Sequence, residues 1–427
     1  MPIVNARRAV AGSKRSPSSV RRMSPRIART AGPSASARGV GTSAAPLRTS
    51  KGSRASSRSL ASAWLVAGWL SPRRRAARVT LRSSSSASSA TRRFRSIAAR
   101  FVSCMMFIHS IDATNDGAGR TTSSVGARES APEEEAAMFV VAGVTGHVGG
   151  VIAETLLAAG RKVRVVVRSE DKGAPWRAKG AEVAVASLGD DAALAKALEG
   201  AEGAFLLLPP DYASNDNLAE KAQMTAALGR AIERAKVPHV VFLSSIGAQH
   251  AKGTGPIRTV HHAERELGRI ATTRFTWLRP AYFVENVGSL IGAVKGQGVL
   301  PSTFDPSKRI PMIATRDIGE AGAKALLEGP AEGRGAVIEL AGPRDVSFDD
   351  VAKELSALLG REIHTVRVPR EAVAGALQQA GMTPDLAGLY AEMSAGVDDG
   401  TVDYEGNGAR FARGRVEARE VLRALLG

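Results

Sequence analysis

Gly143, Gly146 and Gly149 stand three residues apart, directly behind the apolar run Phe139-Val140-Val141-Ala142. At that spacing the first glycine lets a strand turn sharply, the second lets backbone lie against a pyrophosphate, and the third lets the next helix pack close to the sheet. A helix starting near Val148 would aim its free N–H groups and the positive end of its dipole at the phosphates. The chemistry implied is dinucleotide binding; the alternative is a plain glycine-rich turn between strand and helix. Arg168 closes the next apolar run, about 25 positions past Gly143. Sites that prefer NAD usually offer a carboxylate there, whereas an arginine suits the 2′-phosphate of NADP. Arg164 within that run, and Ser169 and Lys172 after it, extend the positive neighbourhood. NADP(H) is the expected cofactor and NAD(H) the second choice, unless Arg168 is merely a solvated strand-end residue.

The elements that must position these residues follow from periodicity. Apolar runs predict strands at 139–142, 163–167, 182–185, 204–208, 239–243 and 275–278. Between them, helices are expected at 148–159, 176–179 (a short one), 191–198, 215–235 and 260–270. That alternation predicts an α/β fold with a doubly wound parallel sheet, the Rossmann arrangement. Past Arg279-Pro280 the rhythm changes. A helix is expected near 284–294, a Gly/Pro/Ser-rich loop through Lys308, a strand at 309–313, and a helix capped by Asp317 that runs to Leu327. A strand at 336–340 follows, then a helix at 348–359 that Ser347 starts, with Asp350 echoing a capping box. A short strand at 364–368 precedes a helical remainder to Gly427. The expected organisation is a tail over 1–137 and one nucleotide-binding domain over 138–427. Within that domain, 138–280 is the Rossmann core and 281–427 is mainly a small C-terminal α+β substrate lobe over the strand ends. A strand near 336–340 could rejoin the core.

The chain carries 58 Lys and Arg against 41 Asp and Glu, a net charge of +17. So basic a balance would suggest nucleic acid or an anionic surface, but it is unevenly spread. Residues 1–137 hold 24 basic and 6 acidic residues, and 138–427 hold 34 and 35. The tail's cations are 22 Arg and 2 Lys, against 23 Arg and 11 Lys in the body. A basic arm selected to hold phosphates could use either cation, so the skew fits translated GC-rich DNA ahead of a start at Met138. Without a sustained apolar period the tail is expected to be disordered. A transit peptide of the same Arg- and Ser-rich composition and a nucleic-acid arm are the alternatives. The tail's apolar stretches at 61–70 and 101–111 fall short of the roughly 20 residues that span a bilayer. Its Cys104 is the only cysteine, which leaves the body without a disulfide, a thiolate nucleophile or a cysteine metal site. The body's histidines lack metal-ligand spacing. A cytoplasmic, metal-free body with a small-molecule substrate is expected, with no membrane or nucleic-acid partner; an oligomer is compatible with it.

Five stretches in order carry a resemblance: GVTGHVGG at 143–150, VRVVVR at 163–168, ALAKALEGAEGAFLLLPP at 193–210, VVFLSSIGA at 240–248 and TWLRPAYFVEN at 276–286. A late ARGRVEAREVLRALL at 412–426 adds to them. The body thereby resembles the NmrA-like atypical short-chain dehydrogenase/reductases over nearly all of 138–427. The resemblance implies an NAD(P)-binding fold with a small C-terminal lobe. Members include quinone, azo-dye and triphenylmethane-dye reductases as well as redox-sensing regulators. It further implies that Gly143, Thr145, Gly146, His147, Val148 and Gly149 face the pyrophosphate and Arg168 the 2′-phosphate. Leu207, Leu208 and Pro209 would lie along the nicotinamide side, Ser244 and Ser245 would border nicotinamide or substrate, and Tyr282, Phe283 and Asn286 would line the pocket. Ser187 departs from the family, where an aspartate often lies near adenine, and puts that contact in doubt.

Ordinary short-chain dehydrogenases use a Tyr-x-x-x-Lys pair as proton source. Here Tyr212, Tyr282, Tyr390 and Tyr404 are followed four positions on by Asp216, Asn286, Ser394 and Gly408. Epimerase and alcohol dehydrogenase chemistry, which needs such a shuttle, is therefore disfavoured. In its place stands Val260-His261-His262-Ala263-Glu264, similar to the family's His-x-x-Glu stretch. His261 or His262 would donate a proton or hold substrate, with Glu264 orienting it. The alternative is a solvated helix start with Glu264 favouring the dipole. Electron-poor quinones and dyes accept hydride when merely stacked and held close. The expected function is hydride transfer from NADPH to such an acceptor, with Tyr282 as a further candidate. A non-catalytic NAD(P) sensor is the competing class.

Overall fold

The computed structural model describes residues 137–427 apart from Arg334 and Asn407; the expectations for the tail up to residue 136 lie outside these residues. Six strands, β1 (Met138–Ala142), β2 (Lys162–Val167), β3 (Glu182–Val185), β4 (Ala201–Leu207), β5 (His239–Leu243) and β6 (Arg274–Pro280), open the fold. They are joined through α1 (His147–Ala158), α2 (Glu170–Ala178), α3 (Asp191–Leu198), α4 (Asn217–Ala235) and α5 (Arg258–Leu267). The strands read as continuous apolar runs because helices cover both faces. Successive side chains enter opposite cores. Phe139 and Val141 pack with Ile152 and Leu156 of α1, whereas Val140 and Ala142 pack with Leu194 of α3 and with Leu228 and Ile232 of α4.

Two later strands, β10 (Gly335–Ala341) and β13 (Arg410–Arg413), extend the sheet to the order β13-β10-β6-β5-β4-β1-β2-β3. Every pairing in it is parallel. The order reverses between β1 and β4, so the connections leave in opposite directions there and open a crevice at the carboxyl ends of the strands. Open α/β sheets bind ligands at that crevice.

The remaining elements are β7 (Tyr282–Phe283), a 3₁₀ stretch (Val284–Leu290), α6 (Ile291–Gln297), β8 (Val299–Ser302), β9 (Ile310–Ile313), α7 (Thr315–Glu328), β11 (Asp345–Val346) and α8 (Phe348–Leu359). β12 (His364–Arg367), α9 (Val373–Gln379), α10 (Pro384–Asp399) and α11 (Ala418–Leu426), with short 3₁₀ turns at Gly255–Ile257 and Arg370–Ala372, complete the described fold. β7, β9 and β11 form a small sheet, and β8 pairs with β12. A separate core gathers Val287, Leu290, Phe304, Phe348, Leu355 and Leu422. α7 instead lies on the main sheet, with Ile318 and Leu326 in the same core as α1.

Four local expectations are corrected. The loop expected through Lys308 contains β8, and the remainder expected to be helical contains β13. Both are four-residue strands made by pairing with distant partners, β12 and β10. The first half of the helix expected near 284–294 is 3₁₀. Asp317 does not cap its helix: α7 starts at Thr315, whose N–H and Oγ1 both donate to Glu285 Oε1, at 2.8 and 2.6 Å. The buried Asp317 carboxylate accepts instead from the backbone N–H groups of Arg415 and Val416, each at 3.1 Å. Ser347 and Asp350 do form a full capping box.

Candidate active site

The glycine loop turns where the sequence requires it. Gly143 leaves β1 with φ +69°, a left-handed conformation that side chains disfavour. Gly146 N–H donates back to Gly143 O at 3.0 Å, and α1 begins one residue later. A Cβ at Gly149 would stand 2.7 Å from Ala142 O and closer still to the Gly143 carbonyl, so only glycine lets α1 seat this tightly against β1. No side chain caps α1 and no acid occupies its first turn. Its first N–H groups are thus left for an anion, the arrangement that helix N-termini use for phosphate. Thr145 and His147 are exposed at the rim and Val148 is buried. The His147 side chain lines an open groove between α1 and α7 with Val151, Thr155 and Arg316.

Arg168 is exposed immediately past β2. The neighbouring acids have partners of their own. Glu170 pairs with Arg177, and the Ser169 hydroxyl lowers the Asp171 carboxyl below its ordinary range. Arg164 does not join this positive neighbourhood. Its Nε binds Glu182 at 2.9 Å and its Nη1 donates to the carbonyls of Ala197 and Glu199 at 3.0 and 2.8 Å. Ser187 Oγ accepts from Gly189 N–H at 3.3 Å, a purely local turn.

At the ends of β5 and β6, Ser244 Oγ donates to Glu264 Oε1 at 2.5 Å. Glu264 in turn receives Arg279 through Nε at 2.9 Å and Nη2 at 2.6 Å, while Arg279 Nη1 reaches Glu405. Burial would lower the Arg279 guanidinium; the hydrogen bonds and charge of Glu264, aided by Glu405, outweigh it and hold it above its ordinary value. Glu264 is therefore neither an orienter of the histidines nor a solvated dipole partner. It is the counter-ion of a buried arginine. The signal was present, since both Glu264 and Arg279 lie in recognised motifs, but their pairing across 15 positions was not legible. His261 Nδ1 lies 2.7 Å from Ala248 O; a carbonyl only accepts, so Nδ1 carries the hydrogen. His261 Nε2 is buried and meets no partner among the described residues. His262 is half-buried beside it on α5. Ser245 Oγ donates to Ile246 O at 3.0 Å.

Leu207 props the glycine loop: a Cβ on Gly143 would lie 2.9 Å from Leu207 Cδ2. Leu208 and Pro209, just beyond, line a cavity of about 140 Å³ with Tyr212, Lys221 and Tyr390. Phe283 packs against the main core. Tyr282 does not present an open ring to an acceptor. It sits edge-on to Phe304 and Phe348, at 6.1 and 5.9 Å between centroids, in the aromatic core of the C-terminal elements. Burial raises its phenol above the usual tyrosine range, and the Asn286 side chain beside the hydroxyl only partly offsets this. Lys221 was missed by sequence reasoning. Its signal was spacing, because Asn217, Lys221, Thr225, Leu228 and Ile232 all lie on the buried face of α4.

A helix start behind the glycine loop that no side chain caps among the described residues, an exposed arginine at the next strand end and a cavity just past β4 are all features that fit a dinucleotide. Comparison with known proteins agrees in kind. Over 260 residues the chain is 27% identical to an NAD(P)H azoreductase of Xenophilus azovorans, a match spanning 60% of this chain and 86% of that protein. Over 267 residues it is 27% identical to quinone oxidoreductase 2 of Escherichia coli strain K12, spanning 62% and 89%. The crystal structure of an NADPH-dependent quinone oxidoreductase from Escherichia coli, complexed with NADPH, shares the fold. Its TM-score is 0.58 at 22% identity, over 68% of this chain and 100% of that one. The model of the NmrA-like family matches residues 135–399, more than half of the sequence, and the chain belongs to that family.

Proposed function

We propose that this protein is an NAD(P)H-dependent oxidoreductase, with NADPH preferred, that reduces a quinone-like, azo or other electron-poor small molecule. The observation that carries this is the adjacency of two features at the β1/β4 switch point. The uncapped glycine loop ends β1, and Leu207, which packs on that loop, leads into the Leu208-Pro209 wall of the cavity. The sequence relatives, an azoreductase and a quinone oxidoreductase, support it. Residues 138–280 serve as the nucleotide core and 281–427 mainly as the substrate lobe.

When bound, the dinucleotide supplies a hydride. The backbone of Gly143, Thr145, Gly146, His147, Val148 and Gly149 holds its pyrophosphate, and Arg168 meets the 2′-phosphate. Leu207, Leu208 and Pro209, with Ser244, Ser245, Phe283 and Asn286 nearby, keep the reacting rings dry and aligned. Alignment alone supplies a large share of such an acceleration, of the order of 7–11 kcal/mol at best. With its hydrogen on Nδ1, His261 offers Nε2 as a buried acceptor without a partner among the described residues, so on this side it is a candidate to hold a donor group of the substrate.

A second reading, an NAD(P)-sensing regulator, draws on the same network. The Ser244 hydroxyl is spent on Glu264 and the Tyr282 ring is packed edge-on against Phe304 and Phe348, which a sensor tolerates better than an enzyme. Oxidation of NADPH, followed by its absorbance against a panel of quinones and dyes, separates the two. Steady turnover establishes the reductase; tight NADPH binding with no turnover on any acceptor favours the sensor.

A further inference from the structure

Lys221 is only 5% exposed, and its ammonium has no hydrogen-bond partner among the described residues. A little-solvated charge without a bonded partner is costly, and Lys221 lines the cavity that opens past β4. Burial lowers the ammonium below its ordinary value, against the opposing charges of Asp211 and Glu220, both exposed residues whose charge water screens; Asp211 also lines the cavity, where its Oδ1 accepts from the N–H of Ala213 at 3.0 Å. The other polar groups lining the cavity are largely engaged. Thr259 Oγ1 donates to Pro256 O at 2.8 Å, and the Tyr212 and Tyr390 hydroxyls face each other. Burial raises both phenols, so they remain donors. Leu208, Pro209, Pro256 and Leu386 supply the apolar walls. A volume of about 140 Å³ matches the roughly 150 Å³ that holds one benzene in an apolar protein cavity.

We propose that Lys221 anchors the acceptor: its ammonium, aided by the one hydroxyl of the Tyr212–Tyr390 pair left free to donate, binds a ring oxygen bearing full or partial negative charge, on a single aromatic or quinone-like ring held between Leu208, Pro209 and Leu386. This rests on the reductase reading for its purpose but not for its chemistry. The site selects acceptors by an oxygen rather than by an azo nitrogen, and by one ring rather than several.

The test is a calorimetric titration of the full chain with benzoate, a one-ring oxyanion, and with benzamide, its neutral counterpart. Benzoate is expected to bind about tenfold or more tightly than benzamide, as a charge-assisted contact should. Lys221→Met should erase the preference while leaving NADPH affinity unchanged, and Lys221→Arg should keep it. Independently of any variant, benzoate and not benzamide should protect Lys221 from acetic anhydride, read by mass spectrometry of its peptide. Equal binding of the two probes, a preference that survives Lys221→Met, or no protection would overturn the anchor. Because no turnover is needed, a benzoate preference without NADPH oxidation would sink the reductase reading and leave the anchor standing.

Discussion

Arg279 grips Glu264 through two nitrogens, Nε at 2.9 Å and Nη2 at 2.6 Å, with both side chains nearly sealed from water at 5% and 11% exposure. The pair ties β6 to α5, and Ser244 joins it from the end of β5. Glu405, on the other side of Arg279, also presents its N–H to Glu339 Oε1 at 2.6 Å. The segment around 405 is thereby drawn onto the ends of β6 and β10.

Breaking such a pair strands a charge that water cannot reach. Glu264→Gln should cost about 3–5 kcal/mol of stability, seen in urea unfolding. Replacing both partners together, as Glu264→Leu with Arg279→Met, should cost much less, because no charge remains buried. A Glu264→Gln protein as stable as the wild type would show that Glu405 alone satisfies the arginine.

Arg168→Ala should weaken NADPH by roughly 10- to 150-fold, the value of a charge-assisted contact of about 1.5–3 kcal/mol, and leave NADH nearly unchanged. Fluorescence titration with both cofactors measures it. Equal weakening of the two would remove Arg168 from the 2′-phosphate.

His239, 2% exposed, places Nε2 3.0 Å from Thr276 Oγ1, and burial lowers its imidazole to about 4. Above the ordinary value of about 6.5 the ring is neutral whether folded or not, and it adds no pH dependence. As the pH falls from there toward 4, only the unfolded chain gains the proton, so stability declines by up to about 3 kcal/mol. Below that the folded form is protonated too and the decline from this residue ends. His239→Asn should flatten that part of the stability profile between pH 6.5 and 4, measured by denaturant unfolding. Parallel profiles for the two proteins would contradict the assignment.

Tyr282→Phe keeps the edge-on contacts with Phe304 and Phe348 and should change melting and turnover little. Tyr282→Ala empties part of that aromatic core and should cost about 3–5 kcal/mol, visible in thermal unfolding with or without cofactor. A sharp loss of turnover in Tyr282→Phe without loss of stability would instead restore the hydroxyl as a proton donor.

The core strands were legible because their signal is local. Runs such as Phe139-Val140-Val141-Ala142 bury both faces and need no knowledge of the partner strand, and the glycine loop announces itself through backbone demands that only Gly143 and Gly149 meet. β8 and β13 were not legible. Four residues such as Val299-Leu300-Pro301-Ser302 become a strand only because β12 lies alongside.

The sequence by itself determined the doubly wound order, the anion-ready start of α1, the exposed Arg168 beyond β2 and the absence of a Tyr-x-x-x-Lys shuttle, since each depends on residue type and short spacing. Tertiary structure alone decided which groups meet. It gave Glu264 to Arg279 rather than to the histidines, turned Tyr282 into an aromatic core, and set Lys221 on the wall of a cavity beside Tyr390, which is 169 positions away. Burial and charge pairing are long-range in the chain and short-range in space, so the chemistry of these side chains is set by neighbours that spacing cannot name.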